Sequence, residues 1–145
     1  MIELPSQIIF HTIEKSIKEY RRFSQRNLNI SNADITVDQA LLLFFLNNHS
    51  DFSQNKIGAL MFKDNASVTR MIDLLIKKNY LKRHINELDR RKFNLKLTAV
   101  GQKTLNDFIP VISSNRNIAL KGITKNELGQ LNNILTKIIN NCNPK

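Results

Sequence analysis

The chain has 145 residues, 41% of them hydrophobic and 7% aromatic with no tryptophan, enough for one domain whose core rests on Leu, Ile and Val rather than on stacked rings. Its single cysteine, Cys142, excludes an intrachain disulfide framework or a thiolate metal cluster within one subunit and fits a reducing cytosol. Lys and Arg total 22 against 12 Asp and Glu, a formal net charge of +10 that suits a polyanionic partner, either nucleic acid or an anionic membrane.

The start of the chain does not read as a secretory signal, because Glu3 and Pro5 stand where a basic segment and an unbroken apolar stretch are required. The longest apolar run, residues 40–46, falls far short of the roughly 20 residues of a membrane-spanning helix. A cytoplasmic protein is expected.

Ile9, Ile13, Ile17 and Tyr20 recur at helical spacing after Pro5, which favours a first turn, so a long helix with a basic opposite face is expected to run into the polar stretch 27–32. Thr36 and Gln39 form the T-x-x-Q of a capping box ahead of the apolar run, announcing a second, deeply buried helix that ends near Asn47 and Asn48. Ser53 caps a short third helix with Ile57, Leu60 and Met61 inward, and Phe62 and Lys63 lead out of it. Asp64 caps a fourth, in which Val68, Met71, Ile72 and Leu75 make the i, i+3, i+4, i+7 stripe; Asn65, Ser67, Thr69, Arg70, Asp73 and Lys77 fall on its exposed faces.

Asn79 stands where a left-handed residue ends that helix, and residues 81–86 suit a strand. Phe93, Leu95 and Leu97 alternate with Asn94 and Lys96, the period-two pattern of a half-buried strand, and the polar segment 87–92 closes the hairpin. Thr98 then starts a helix carrying Leu105, Phe108, Ile109 and Ile112, which Pro110 is expected to bend or break. Thr124 and Glu127 form a second capping box before a last helix with Leu128, Leu131, Leu135, Ile138 and Ile139 on one face.

Helix, turn, helix, strand, basic loop and strand in this order make a winged helix-turn-helix, a mainly α fold of the α+β kind that docks its second helix in the DNA major groove. Near the start of that helix, Asn65, Ser67, Thr69 and Arg70 offer amide, hydroxyl and guanidinium groups, where the positive end of the helix dipole also favours a phosphate. Lys77 adds charge at its far end. In the hairpin loop, Asp89, Arg90, Arg91 and Lys92 form a basic tip in which Asp89 can hold Arg91 in a forked pair and so preorganise it for a narrow minor groove.

These residues resemble the MarR family of transcription regulators along nearly the whole chain. The most specific part is Asp89-Arg90-Arg91 followed by Leu97-Thr98-Ala99-Val100-Gly101, similar to the family's wing and its L-T-x-x-G entry into the next helix. Ala66-Ser67-Val68-Thr69-Arg70 and Lys77-Lys78-Asn79-Tyr80-Leu81 resemble the recognition helix and its exit, with Asn79 in place of a frequent glycine. The resemblance implies one MarR-type domain over 1–145, with a winged lobe at 36–98 and flanking segments 1–35 and 99–145 that form a homodimer. It also implies a repressor that binds a pseudo-palindromic operator and is released by a small aromatic or phenolic effector. His11, Phe44, Phe45 and Phe62 are candidates for lining the effector cleft, although apolar residues at these spacings also serve as plain core.

The bland readings are a solvated charged face for the basic helix and loop, a turn residue for Asp89 and a surface hydroxyl for Thr69. His11, His49 and His84 are too dispersed for a metal site, so no metal or cofactor is expected. Cys142, near the end of the chain, reads as an incidental thiol rather than a redox sensor. No phosphate-binding glycine loop, H-E-x-x-H or G-x-S-x-G occurs, so no enzyme is expected. The rival function is a winged helix that binds a protein or coats DNA without sequence preference.

Overall fold

The computed structural model describes residues 2–30, 34–49, 51–89 and 93–143. A short 3-10 turn with Pro5 in its first position, Pro5–Gln7, leads into α1 (Ile9–Ile30). Then follow α2 (Val37–Asn48), α3 (Gln54–Met61), α4 (Asn65–Lys77), β1 (Leu81–Ile85), β2 (Phe93–Leu97), α5 (Ala99–Ala119) and α6 (Lys125–Cys142). This is the expected order, mainly helical with a two-stranded antiparallel hairpin.

Local chemistry sets the helix ends. At α2, Gln39 N donates to Thr36 Oγ1 and Thr36 N donates to Gln39 Oε1, both at 3.1 Å, so two backbone donors left over at the helix start find partners. Ser53 Oγ accepts from Lys56 N at 3.2 Å and Asp64 Oδ1 from Ser67 N at 2.7 Å, starting α3 and α4. Among the described residues, two non-glycine residues turn left-handed, Phe62 (φ 55°) between α3 and α4 and Asn79 (φ 62°) after α4. Asn tolerates that conformation far better than Phe.

The core gathers Leu28 of α1, Leu42, Leu43 and Leu46 of α2, Ile57 and Met61 of α3, Val68, Ile72 and Leu75 of α4, Leu81 of β1, and Leu105 and Phe108 of α5. Leu42, Leu43, Leu75 and Leu105 are fully buried, and burying a leucine contributes about 1.5–3 kcal/mol. The helix-turn-helix and the hairpin therefore share one core with α1 and α5.

Pro110 neither breaks nor ends α5, contrary to a break at that point: the helix is continuous from Ala99 to Ala119. Proline removes a backbone donor, but buried contacts hold the helix on both sides. Leu105 and Phe108 precede it in the core, and after it the buried Asn115 Oδ1 accepts from Asn27 Nδ2 of α1 at 2.6 Å.

The chain divides into two units, Met1–Asn115 and Arg116–Lys145. Within the second unit, Thr124 and Glu127 cap α6 as their spacing predicts, and no residue of α6 is buried.

Candidate nucleic-acid interface

Val68, Ile72 and Leu75 anchor one side of α4 in the core, which leaves Asn65, Thr69, Arg70 and Lys77 exposed. Ser67, expected to be exposed, is half-buried. Arg70 is exposed on this face, with its charge near the Asp64 carboxylate at the start of the helix. The positive end of the α4 dipole is already occupied by the Asp64 carboxylate. The Ser67 backbone N–H, then its hydroxyl, then the nearby Arg70 charge hold that carboxyl below its ordinary range. A phosphate approaching this helix end meets a resident anion, and the attraction expected from the dipole is offset.

Several contacts brace α4 from neighbouring elements. Gly58 of α3 allows the two helices to approach: a Cβ there would lie 2.8 Å from the Lys63 carbonyl oxygen and 3.4 Å from Val68 Cγ2. Half-buried Gln54, the first residue of α3, donates through Nε2 to Thr69 Oγ1, which itself donates to the Asn65 carbonyl at 2.8 Å. Asp73 pairs with Arg83 Nη2 of β1 at 2.7 Å. Lys78 Nζ, just past the helix, reaches the carboxylate and carbonyl of Asp34 at 3.0 and 2.8 Å. Gln54, Arg83 and Lys78 were not legible as site residues, because their partners lie 10 to 44 positions away.

Asp38, in the first turn of α2, joins α1 to the helix-turn-helix, accepting from Arg21 at 3.1 Å and pairing with Lys63 at 2.9 Å. Burial alone would raise its pKa, but Lys63 and then Arg21 outweigh it and hold the carboxyl low.

In the hairpin, Leu81 faces Leu97 and Arg83 faces Leu95, while Lys82 stands opposite Lys96 and His84 opposite Asn94 on the other face. Two like charges directly opposed disfavour the pair in isolation and favour an anion beside it. Asp89 is half-buried; Arg90, Arg91 and Lys92 lie outside the described residues.

The effector candidates sit on separate elements. His11 is exposed on α1, Phe44 and Phe45 of α2 meet edge to face at 6.4 Å, and Phe62 is 92% exposed in the turn after α3. Of two open clefts of about 370 Å³, one is lined by His11, Glu14, Lys15, Lys18, Glu19 and Arg22 of α1 and so includes one candidate, and the other by Asn27 and Ile30 of α1 and Pro110, Val111, Ser114 and Asn115 of α5. Among the described residues no group of three or more His, Cys, Asp or Glu can hold a metal ion, and no helix is long and apolar enough to cross a membrane.

Residues 33–92, which hold the helix-turn-helix and the hairpin loop, match the model of the MarR family. The chain is 35% identical over 72 residues to the uncharacterized HTH-type transcriptional regulator YhbI of Bacillus subtilis (strain 168), a match over 50% of this chain and 47% of the relative. It thus spans about half the length of that curated relative. Among solved structures, the S. aureus MepR-DNA complex matches with a TM-score of 0.83 at 20% identity, over 96% of this chain and 99% of MepR. Bordetella bronchiseptica BpsR, whose DNA binding is regulated by 6-hydroxynicotinic acid, matches with a TM-score of 0.82 at 20% identity, over 95% and 97% of the two chains. At such identities the two structures establish a shared fold.

Proposed function

We propose that this chain, whose residues 33–92 match the model of the MarR family, is a MarR-type sequence-specific double-stranded DNA-binding regulator of transcription, acting as a cytoplasmic repressor. The observation that carries the proposal is the exposed row Asn65, Thr69 and Arg70 on a helix held rigid by its core stripe and by Gln54, Arg83 and Lys78. A rigid element gives base-reading side chains a defined position. In this reading α4 enters the major groove, and the hairpin tip at Asp89, Arg90, Arg91 and Lys92 enters the minor groove.

The protein acts as a homodimer, because α6 keeps Leu131, Ile134 and Ile139 at least half exposed within the chain, and a second copy covers such a stripe with matching residues. Two recognition helices about 34 Å apart then read an inverted repeat of roughly 16–20 base pairs. A small aromatic or phenolic anion releases the operator by favouring a spacing of the two lobes that fits the repeat poorly; BpsR is regulated by an acid of this chemistry. Unchanged operator affinity at saturating concentrations of such acids would refute the effector.

Selection of bound sequences from random duplex DNA at near-physiological salt tests the main proposal. An enriched inverted repeat, with Arg70→Ala and Arg91→Ala each weakening its binding by about 1–3 kcal/mol, is the expected result. Binding with no preferred sequence would favour the non-specific reading instead.

A further inference from the structure

Thr69 on the exposed face of α4 has a hydroxyl whose hydrogen-bonding capacity is largely committed. Its Oγ1 donates to the Asn65 carbonyl one turn earlier at 2.8 Å. The side chain of Gln54 reaches the same corner from α3, its Nε2 bonded to Thr69 Oγ1 and 3.5 Å from the Asn65 carbonyl. A carbonyl only accepts, so with the amide nitrogen of Gln54 facing this pair both contacts are attractive, whereas its oxygen would lie against the Asn65 oxygen. Gln54 therefore donates to Thr69, and Thr69 donates to Asn65.

A hydroxyl has one proton and two lone pairs. The Asn65 carbonyl takes the proton and Gln54 takes one lone pair, so Thr69 has a single acceptor site and its methyl group left for an outside partner. Swinging the O–H to the outer side would break its bond to Asn65 and set an oxygen lone pair against that carbonyl, while swinging it to the remaining side would point it at the hydrogens of the Gln54 amide.

We propose that Gln54 is a positioning residue that makes Thr69 an acceptor-only reader of base edges, an inference that rests on the DNA-binding function proposed above. In the major groove the exocyclic amines of adenine and cytosine donate, whereas guanine O6 and N7 and thymine O4 accept. An acceptor-only Thr69 selects an amino-bearing base, adenine or cytosine, over guanine or thymine on one strand at one position of each half-site. Without Gln54 the hydroxyl rotates to donate as well, and the discrimination falls.

The test is selection from a random duplex pool with the wild type, Gln54→Leu, Thr69→Val and Thr69→Ser at one salt concentration, alongside thermal unfolding of each. The wild type and Thr69→Ser are expected to favour adenine or cytosine at that position by about five- to tenfold, the worth of one good contact. Gln54→Leu is expected to cut the ratio to about twofold or less while keeping the rest of the repeat and its unfolding midpoint, and Thr69→Val to abolish it. A repeat that keeps its preference in Gln54→Leu, or in Thr69→Val, overturns this inference alone. A Thr69-dependent position that selects guanine or thymine overturns it as well. A wild type that enriches no repeat overturns the proposed function together with it.

Discussion

Gly101 occupies a place in which no side chain fits, since a Cβ there would stand 2.0 Å from the Tyr80 carbonyl oxygen. The same carbonyl accepts from Thr98 N at 3.1 Å, while Thr98 Oγ1 donates to the Asn79 carbonyl at 2.6 Å and accepts from Gly101 N at 3.0 Å. The L-T-x-x-G pattern thus clamps the start of α5 to the exit of α4. Gly101→Ala is expected to destabilise the fold by about 3 kcal/mol in denaturant unfolding, because the obstruction is backbone and cannot swing aside. Asn79→Gly, which keeps the left-handed turn available, is expected to change stability by less than about 1 kcal/mol. Asp38 links stability to pH. Its folded pKa lies below the ordinary 3.8, so its contribution is fully present above that value and is lost as pH falls through the folded pKa. Asp38→Asn is expected to cost about 1 kcal/mol at neutral pH, a difference from wild type that shrinks in unfolding measurements carried below the folded pKa.

At the scale of elements, Asp73 and Arg83 join α4 to β1 across the surface. The pair is largely exposed and contributes less than about 1 kcal/mol to folding. Its larger effect is on alignment, since the hairpin tip and α4 must meet adjacent grooves together. Arg83→Ala is therefore expected to leave the unfolding midpoint nearly unchanged and to weaken binding to the selected repeat by no more than about fivefold in fluorescence titration. α5 follows the same logic of support on both sides, continuing through Pro110 because Phe108 and Asn115 are each buried.

For the whole molecule, the net charge of +10 and the uncovered stripe of α6 govern behaviour in solution. If a dimer neutralises 6–10 phosphates, as DNA-binding proteins commonly do, affinity for the repeat is expected to fall by about 10³–10⁵ between about 50 and 200 mM salt. Charging the stripe with Leu131→Asp and Ile134→Asp is expected to give a folded monomer by sedimentation, with operator affinity lower by about a hundredfold or more. A doubly charged variant that remains dimeric would move the dimer contact away from this stripe.

What could be read along the chain was decided over short stretches of it. The caps at Thr36, Ser53, Asp64 and Thr124, the left-handed Asn79 and the core stripe of α4 all depend on residues within about two turns of one another. Composition and periodicity therefore determined the order of elements and the exposed row Asn65, Thr69 and Arg70. Only the packed structure brought Gln54 to Thr69, Arg83 to Asp73, Lys78 to Asp34, and both Arg21 and Lys63 to Asp38. It also half-buried Ser67, set Asp64 against an incoming phosphate and carried α5 past Pro110. The physical reason is that caps and stripes follow from local backbone geometry, whereas side chains on different elements meet only after a shared core has placed their backbones.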